Sequence, residues 1–205
     1  MTTEEKVLEI IKRLYTLYPH PKTALEFNSP LQLLIATILS AQTTDKLVNT
    51  ITPALFEAYK TAEDFARAPV EEIDEMIKKV NFHHNKAKSV KGACTMIVEK
   101  HGGEVPQTMQ ELDDLPGVAR KTANVVMSGA FNDAQGITVD THVMRLSRAL
   151  GLTNATTPEK VEEDLMKIVP KKYWKDFPHL LILYGREHSP ARGAKPGHLL
   201  EDLYV

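Results

Sequence analysis

The chain has 205 residues, of which 42% are apolar and 25% are charged, so it is long enough for one large domain or two small lobes. Its longest apolar run, Leu31 to Ala41, is shorter than the roughly 20 residues that span a bilayer, and no basic segment followed by an apolar stretch opens the sequence. These features argue against a membrane or secreted protein, and we expect a cytoplasmic one. Cys94 is the single cysteine, which excludes an intrachain disulfide and an all-cysteine metal site.

The net charge of −2 mildly disfavours a nucleic-acid partner, because phosphate binding depends on lysine and arginine. Basic residues are nevertheless grouped in two stretches. Each group is either a DNA-contacting surface or ordinary solvated surface. The groups are Lys86, Lys88 and Lys91, and the set of Lys167, Lys171, Lys172, Lys175, Arg186, Arg192 and Lys195.

Apolar residues recur with helical spacing along nearly the whole chain, and no segment alternates as a strand would. We therefore predict an all-α fold of about nine or ten helices joined by short loops. Ser29-Pro30, Thr157-Pro158 and Asp140 are suitable helix starts, and Gly102 and Gly151 suitable ends. In chain order, the predicted helices are an N-terminal one with Val7 to Leu17 as its stripe, then 31–40, a helix opened by Pro69, 86–100, 109–115, 121–130, 140–150, 158–169 and 174–186.

The segment LPGVARKTANVV, from Leu115 to Val126, predicts a short helix, a tight turn at Pro116-Gly117 and a second helix. Glycine permits a turn geometry that other residues resist. Such a turn points free backbone N–H groups outward at a helix start, where an anion is favoured. This is the arrangement of a helix–hairpin–helix that grips a DNA phosphate without reading base sequence. An ordinary helix–helix turn is the alternative.

Lys121 begins the second of these helices, and Asp140 follows nineteen residues later in TVDTHVMR. With these residues the chain resembles the endonuclease III family of the helix–hairpin–helix DNA glycosylases. The resemblance extends over nearly all of the sequence. It includes PHPKTALEF (19–27), SPLQLLIATILSAQTTD (29–45), GGEVPQ (102–107), VDTHVMRLS (139–147) and the terminal LEDLY.

The resemblance implies that Lys121 is the catalytic nucleophile and Asp140 the catalytic aspartate of a bifunctional glycosylase and AP lyase acting in base excision repair. The lysine amine would attack the sugar, displace an oxidised pyrimidine and leave a Schiff base, and β-elimination would break the strand 3′ to the abasic site. A lysine attacks only as a neutral amine, which is scarce at pH 7, so the site must favour it through partial burial and the positive end of a helix. Asp140 at a helix N-terminus should stay ionised and could stabilise an oxocarbenium-like sugar or relay a proton. A surface lysine and a plain N-cap are the alternatives.

The resemblance also implies two side chains that fill the gap left by an extruded base. Gln42 would insert a polar side chain, and Phe82 an apolar wedge able to stack on bases. A loop glutamine and a core phenylalanine are the alternatives. The remaining predicted DNA contacts are Gly117, Ala119, Arg120, Thr122 and Lys195.

Two departures from the family pattern stand out. Relatives usually carry glycine at the position of Ala119, so its Cβ could hinder a phosphate. Many relatives also end in four cysteines that hold a 4Fe–4S cluster, whereas the matching positions here are Ser189, Pro196, Leu199 and Tyr204. None of these is a thiolate ligand, so we expect no cluster and no other metal cofactor.

By the same resemblance we expect two helical lobes with a DNA cleft between them. One is a six-helix barrel with the helix–hairpin–helix, residues 22–133. The other combines 1–21 with 134–205. The expected partner is double-stranded DNA with damaged bases or abasic sites, bound by a monomer that is associated with the nucleoid when on DNA.

Two other functions remain open. One is a glycosylase of the same superfamily for a mismatched thymine, an adenine or an oxidised purine. Lys121 argues against the adenine and mismatch branches, which typically lack this lysine. The other is a non-catalytic helix–hairpin–helix DNA-binding protein, against which the presence of both Lys121 and Asp140 argues.

Overall fold

The computed structural model describes residues 2–188 and 199–204, and within these ranges the secondary structure is entirely helical. The α-helices are α1 Thr3–Leu17, α2 Pro30–Ser40, α3 Asp45–Ala58, α4 Ala62–Arg67, α5 Val70–Met76, α6 His83–His101, α7 Met109–Asp113, α8 Arg120–Ala130, α9 Thr141–Ala149, α10 Pro158–Ile168 and α11 Asp176–Glu187. Short 3₁₀ turns cover Lys171–Tyr173 and Glu201–Leu203. No described helix combines the length and the apolar character needed to cross a bilayer.

The predicted start and stop signals lie at the observed helix ends. Ser29 caps α2 through its side chain, with Pro30 as the first helical residue, and Pro158 likewise opens α10. Gly102 and Gly151 follow α6 and α9 with φ of 61° and 67°. The helices α3 and α4 lie where no helix is predicted above, and Pro53 sits inside α3, a position that usually breaks a helix.

The chain divides into two compact units, here called the central unit, residues 23–133, and the terminal unit, residues 1–22 with 134–205. The central unit thus begins at Thr23, one residue after the expected boundary. Its core is built around α2, in which every residue from Leu33 to Leu39 is buried. That helix packs against α3, α6 and α8.

The terminal unit gathers the two ends of the chain around its own core. The buried faces of α1, α9, α10 and α11 form this core, with α11 contacting both α1 and α9. Two tyrosines reach α11: Tyr15 of α1 donates to Asp176 at 2.6 Å, and Tyr18, the C-cap residue of α1, donates to Glu187 at 2.8 Å. These bonds hold α1 against a helix whose residues follow 161 and 169 positions later in the sequence.

Candidate nucleic-acid interface

The turn between α7 and α8 requires glycine at position 117. Gly117 has φ of 76°, in the left-handed region. A Cβ built on it would lie 2.5 Å from the Cβ of Ser89, closer than side chains tolerate. Val118, which is buried, closes the turn by donating its N–H to the carbonyl of Leu115 at 3.0 Å. The predicted helix, tight turn and second helix are therefore all present.

The start of α8 is exposed and has no side-chain cap. Ala119 is the N-cap residue, and its methyl group offers no acceptor to the first-turn amides. Gly117, Ala119, Arg120 and Lys121 are exposed, and Thr122 is half-buried. Backbone N–H groups at such a helix start favour an anion. Four of the predicted DNA contacts, Gly117, Ala119, Arg120 and Thr122, therefore lie together at this helix start.

Lys121, the predicted nucleophile, is the second residue of α8 and its side chain is exposed. The partial burial expected from the sequence is therefore absent in the free protein. The reason is local: the first turn of α8 projects from the exposed hairpin, and the buried side of the helix begins at Ala123. The other expected feature, placement at a helix N-terminus, is present.

Asp140, the predicted catalytic aspartate, lies in the terminal unit and is half-buried. It is the N-cap of α9, and its Oδ1 accepts the N–H of Val143 at 2.8 Å. This bond fixes one carboxylate oxygen against the backbone, as the sequence predicts. The same bond would be present in a purely structural N-cap, so it does not by itself establish a catalytic role.

The charge of Asp140 acts on two histidines that the sequence did not single out. Burial lowers the pKa of His142, Arg145 and Arg186 add to this effect, and Asp140 opposes it. Burial likewise lowers the pKa of His179, against the raising influence of Asp176 and Asp140. His142 lies beside Asp140 in VDTHV and could have been suspected from the sequence, whereas His179 is brought close only by the fold.

Gln42 and Phe82, predicted to fill the gap in DNA, are 40 residues apart in sequence but lie on neighbouring loops of the central unit. Phe82 is 62% exposed, so it is not a core residue. Both have left-handed backbones, with φ of 53° at Gln42 and 58° at Phe82. Asn81 joins the loops by donating its Nδ2 to the carbonyl of Gln42 at 2.5 Å.

His83 and His84, next to Phe82, both bond to one carboxylate. Their Nδ1 atoms lie 2.6 Å from the two oxygens of Asp74. Among the described residues, these three side chains lie close enough to one another to hold a cation. The ring nitrogens nearest the carboxylate are already engaged with it, so these contacts are explained by hydrogen bonding alone.

The first basic group is not a solvated surface. Lys86 is buried and donates to three acceptors, and Lys91 donates to the carbonyls of Ala66 and Ala68 at 2.7 and 2.6 Å. Only Lys88 of this group is exposed. In the second group, Lys171 and Lys172 are exposed above the rings of Trp174 and Tyr173.

The positions that replace the cluster cysteines are only partly described. Ser189, Pro196 and the predicted DNA contact Lys195 lie outside the described residues. Leu199 is 37% exposed and Tyr204 is half-buried against the terminal core, and neither offers a thiolate. Cys94 is fully buried in α6 of the central unit, and burial raises the pKa of its thiol to about 12. This donor set does not fit an iron–sulfur cluster.

Comparison with known proteins gives the family. Residues 35–171 match the model of the HhH-GPD superfamily base excision DNA repair proteins. Endonuclease III of Synechocystis sp. is 51% identical over 189 residues, which cover 92% of this chain and 86% of that protein. Endonuclease III of Escherichia coli K12 is 42% identical over 199 residues, covering 97% and 94%. The solved structure of a trapped endonuclease III–DNA covalent intermediate, an estranged-adenine complex, superposes with a TM-score of 0.93 at 40% identity, covering 100% of this chain and 96% of that one. The chain therefore belongs to the HhH-GPD superfamily of base excision DNA repair proteins and, within it, to the endonuclease III family.

Proposed function

We propose that this protein is a DNA glycosylase and AP lyase that removes oxidised pyrimidines from double-stranded DNA and cleaves the strand 3′ to the resulting abasic site. The observation that carries the proposal is the placement of Lys121. It is an exposed lysine in the first turn of the helix that follows a glycine-dependent hairpin, in a chain of the endonuclease III family. The related protein trapped as a covalent intermediate on DNA supports a nucleophilic mechanism.

In the proposed reaction the neutral amine of Lys121 attacks C1′ of the damaged nucleotide, and the base leaves with the glycosidic electron pair and takes up a proton. The amine loses a proton and the C1′–O4′ bond of the sugar opens with O4′ taking up a proton, so the ring-opened sugar is held on Lys121 as a Schiff base. Loss of a proton from C2′ expels the 3′ phosphate, which is the strand break. Hydrolysis finally releases the sugar end and restores the lysine.

The free protein leaves Lys121 in water, so we attribute its desolvation to the bound DNA. A phosphate backbone and an extruded sugar placed against the start of α8 would remove water from the amine, and desolvation favours the neutral form. The positive end of α8 acts in the same direction. We assign Asp140 the opposite task of stabilising positive charge on the sugar or relaying a proton, as an ionised carboxylate at the start of α9.

We further propose that Gly117, Ala119, Arg120, Thr122 and Lys195 contact the DNA backbone and that Gln42 and Phe82 fill the space of the extruded base. The exposed aromatic ring of Phe82 supports this assignment, because an exposed phenylalanine costs free energy in water that stacking on bases recovers. We expect a monomer acting on chromosomal DNA in the cytoplasm.

We propose that catalysis needs no 4Fe–4S cluster. The single cysteine, Cys94, is buried in the central unit and cannot supply the four thiolates that a cluster in the terminal unit would need. Purified protein should show no absorbance band near 400 nm and no stoichiometric iron. A band with about four irons per chain would contradict the proposal.

The activity is tested with duplexes that carry thymine glycol, 8-oxoguanine or a G·T mismatch, each scored for free base and for strand cleavage. We expect base release and cleavage in step on thymine glycol and little turnover of the other two. Base release without cleavage would indicate a monofunctional glycosylase, and preference for 8-oxoguanine an oxidised-purine enzyme. Binding of all three without product would contradict catalysis altogether.

A further inference from the structure

Five hydrogen bonds link the loop that carries Gln42, and the end of α2 before it, to Asn81 and Lys86, which lie on either side of Phe82. Asn81 makes two of them: its backbone N–H donates to Thr43 Oγ1 at 3.3 Å, and its Nδ2 donates to the carbonyl of Gln42. Lys86 makes the other three, to Leu39 O at 2.7 Å, Ala41 O at 2.5 Å and Thr43 Oγ1 at 3.1 Å. The acceptors bracket Gln42 on both sides.

Lys86 is an unusual residue for this task. Its side chain is only 6% exposed, and all three ammonium hydrogens have an acceptor. No acidic side chain in the part of the chain that the structure describes forms an ion pair with it. A buried charge without a counterion is costly, and burial accordingly lowers the pKa of Lys86. The partial negative charge at the C-terminus of α2 offsets part of this cost.

The backbone at both loop tips is strained. Among the described residues only Gln42, Phe82 and Asn132 have positive φ without being glycine. Asparagine tolerates this region, whereas glutamine and phenylalanine lose about 1–3 kcal/mol each in it. Strained residues persist only where their surroundings hold them. Lys86 bonds to the residues on both sides of Gln42, and Asn81, which directly precedes Phe82, bonds to Thr43 and to the carbonyl of Gln42.

We propose that Asn81, Thr43 and Lys86 are positioning residues that lock the Gln42 loop to the Phe82 loop, so that both side chains enter the duplex as one preformed wedge. The inference rests on the proposed function, in which these side chains replace an extruded base. A wedge that is ordered before binding does not lose conformational freedom on entry, which favours both affinity and base extrusion.

The direct test is Asn81→Ala, since Asn81 is exposed and its removal should leave the fold intact. The exposed Asn154, in the terminal unit, provides the matched control Asn154→Ala. Single-turnover base release from a thymine-glycol duplex should fall about tenfold in Asn81→Ala. A displacement of about 1 Å in a positioned side chain lowers the rate by this factor or more. Cleavage of an abasic site in single-stranded DNA, which needs no gap filling, should be unchanged.

A second measurement separates positioning from direct contact. In a Gln42→Ala/Phe82→Ala background, adding Asn81→Ala should change base release by less than about twofold, because a residue that acts only through others has no further effect once they are gone. Full additivity, equal losses on both substrates, or a wild-type rate for Asn81→Ala would each overturn the inference.

A third measurement does not depend on catalysis. The protein is bound to a duplex with a tetrahydrofuran abasic analogue opposite 2-aminopurine, whose fluorescence rises when the base is unstacked. Wild type and Asn154→Ala should raise the fluorescence, and Asn81→Ala and Thr43→Val should raise it less at saturation. Equal signals would refute the preformed wedge even if the wild type is an active glycosylase, whereas an inactive wild type with the expected fluorescence pattern would refute only the proposed function.

Discussion

Asp140 closes the N-terminus of α9 through a bond to Val143 that would exist in an enzyme and in an inert protein alike. Its structural and chemical roles can be separated, because asparagine caps a helix about as well as aspartate but carries no charge. Asp140→Asn should therefore change the free energy of unfolding by less than about 0.5 kcal/mol, yet slow base release by about 10²–10³-fold.

Single-turnover rates and urea unfolding check this pair of expectations. Ser29→Asn makes a comparable N-cap exchange at α2, at the opposite end of that helix from Gln42, and should leave both quantities unchanged. A wild-type rate in Asp140→Asn would show that the carboxylate is only a cap.

Gly117 and Ala119 are two residues apart in the hairpin but should respond oppositely to exchange. Gly117→Ala places a methyl group 2.5 Å from Ser89 at φ of 76°, so it should destabilise the protein by about 1–3 kcal/mol and weaken DNA binding. Ala119→Gly has no such cost, because glycine is a better N-cap than alanine, and it should bind DNA a few-fold more tightly. Fluorescence anisotropy with an abasic-analogue duplex measures the DNA affinity of both variants. Weaker binding by Ala119→Gly would contradict the role assigned to the Cβ of Ala119.

For single residues, the sequence predicted which side chains occupy the turn, the cap and the proposed nucleophile position better than it predicted whether a side chain is exposed or buried. The glycine turn, the N-cap at Asp140 and the identity of Lys121 follow from local patterns. The exposure of Lys121 and Phe82 and the burial of Lys86 depend on which helix faces meet, which no local pattern specifies. Lys86 illustrates the difficulty: in sequence it is one of three similar lysines, and only the nearby end of α2 makes it an internal donor.

At the scale of elements, residues 199–204 show how the end of the chain is held by protein contacts. Leu200 and Leu203 are buried in the terminal core, and the N–H of Leu200 donates to the hydroxyl of Tyr184 at 3.3 Å. Arg13 of α1 binds both carboxylate oxygens of Asp202 and the carbonyl of Leu199. These contacts anchor residues 199–204 to the terminal unit.

Two adjacent leucines allow a matched test of that anchor. Leu200 is fully buried and Leu199 is 37% exposed, so Leu200→Ala should lower the free energy of unfolding by about 2–4 kcal/mol and Leu199→Ala by much less. Urea unfolding of the two variants gives the comparison. A loss in Leu200→Ala as small as that in Leu199→Ala would contradict the anchoring role of Leu200.

The helices that sequence reasoning located carry clear end signals, such as Ser29-Pro30 or Gly102. The one it missed most plainly, α3, contains Pro53, and its continuation depends on packing against α2 and α5. The start of α6 was placed three residues late, because its N-cap is the left-handed Phe82 and no side-chain cap marks the position. Tertiary contacts decide both cases.

At the scale of the whole molecule, stability should depend on pH through His142 and His179. Burial holds the pKa of both below the ordinary value of 6.5. Between the lowered folded pKa and 6.5, the unfolded chain binds a proton that the folded chain does not. The free energy of unfolding is therefore highest above pH 6.5, and it falls as the pH drops from 6.5 towards the lowered pKa of the folded protein.

Urea unfolding at about pH 5.5, 6.5 and 7.5 checks the direction. His179→Gln should lose less stability than wild type between the highest and the lowest pH, and His20→Gln, which removes an exposed histidine, should behave as wild type. A stability that rises towards acid pH would contradict the account of these two residues.

The central claim, that a lysine of α8 forms a covalent bond with damaged DNA, is tested most directly by borohydride trapping. Wild-type protein is incubated with a thymine-glycol duplex in the presence of borohydride, and the adduct is digested and mapped by mass spectrometry. We predict a reduced Schiff base on Lys121 alone, with no adduct in Lys121→Ala, a variant that should fold because the residue is exposed. An adduct on another amine, or one formed undiminished by Lys121→Ala, would contradict the claim.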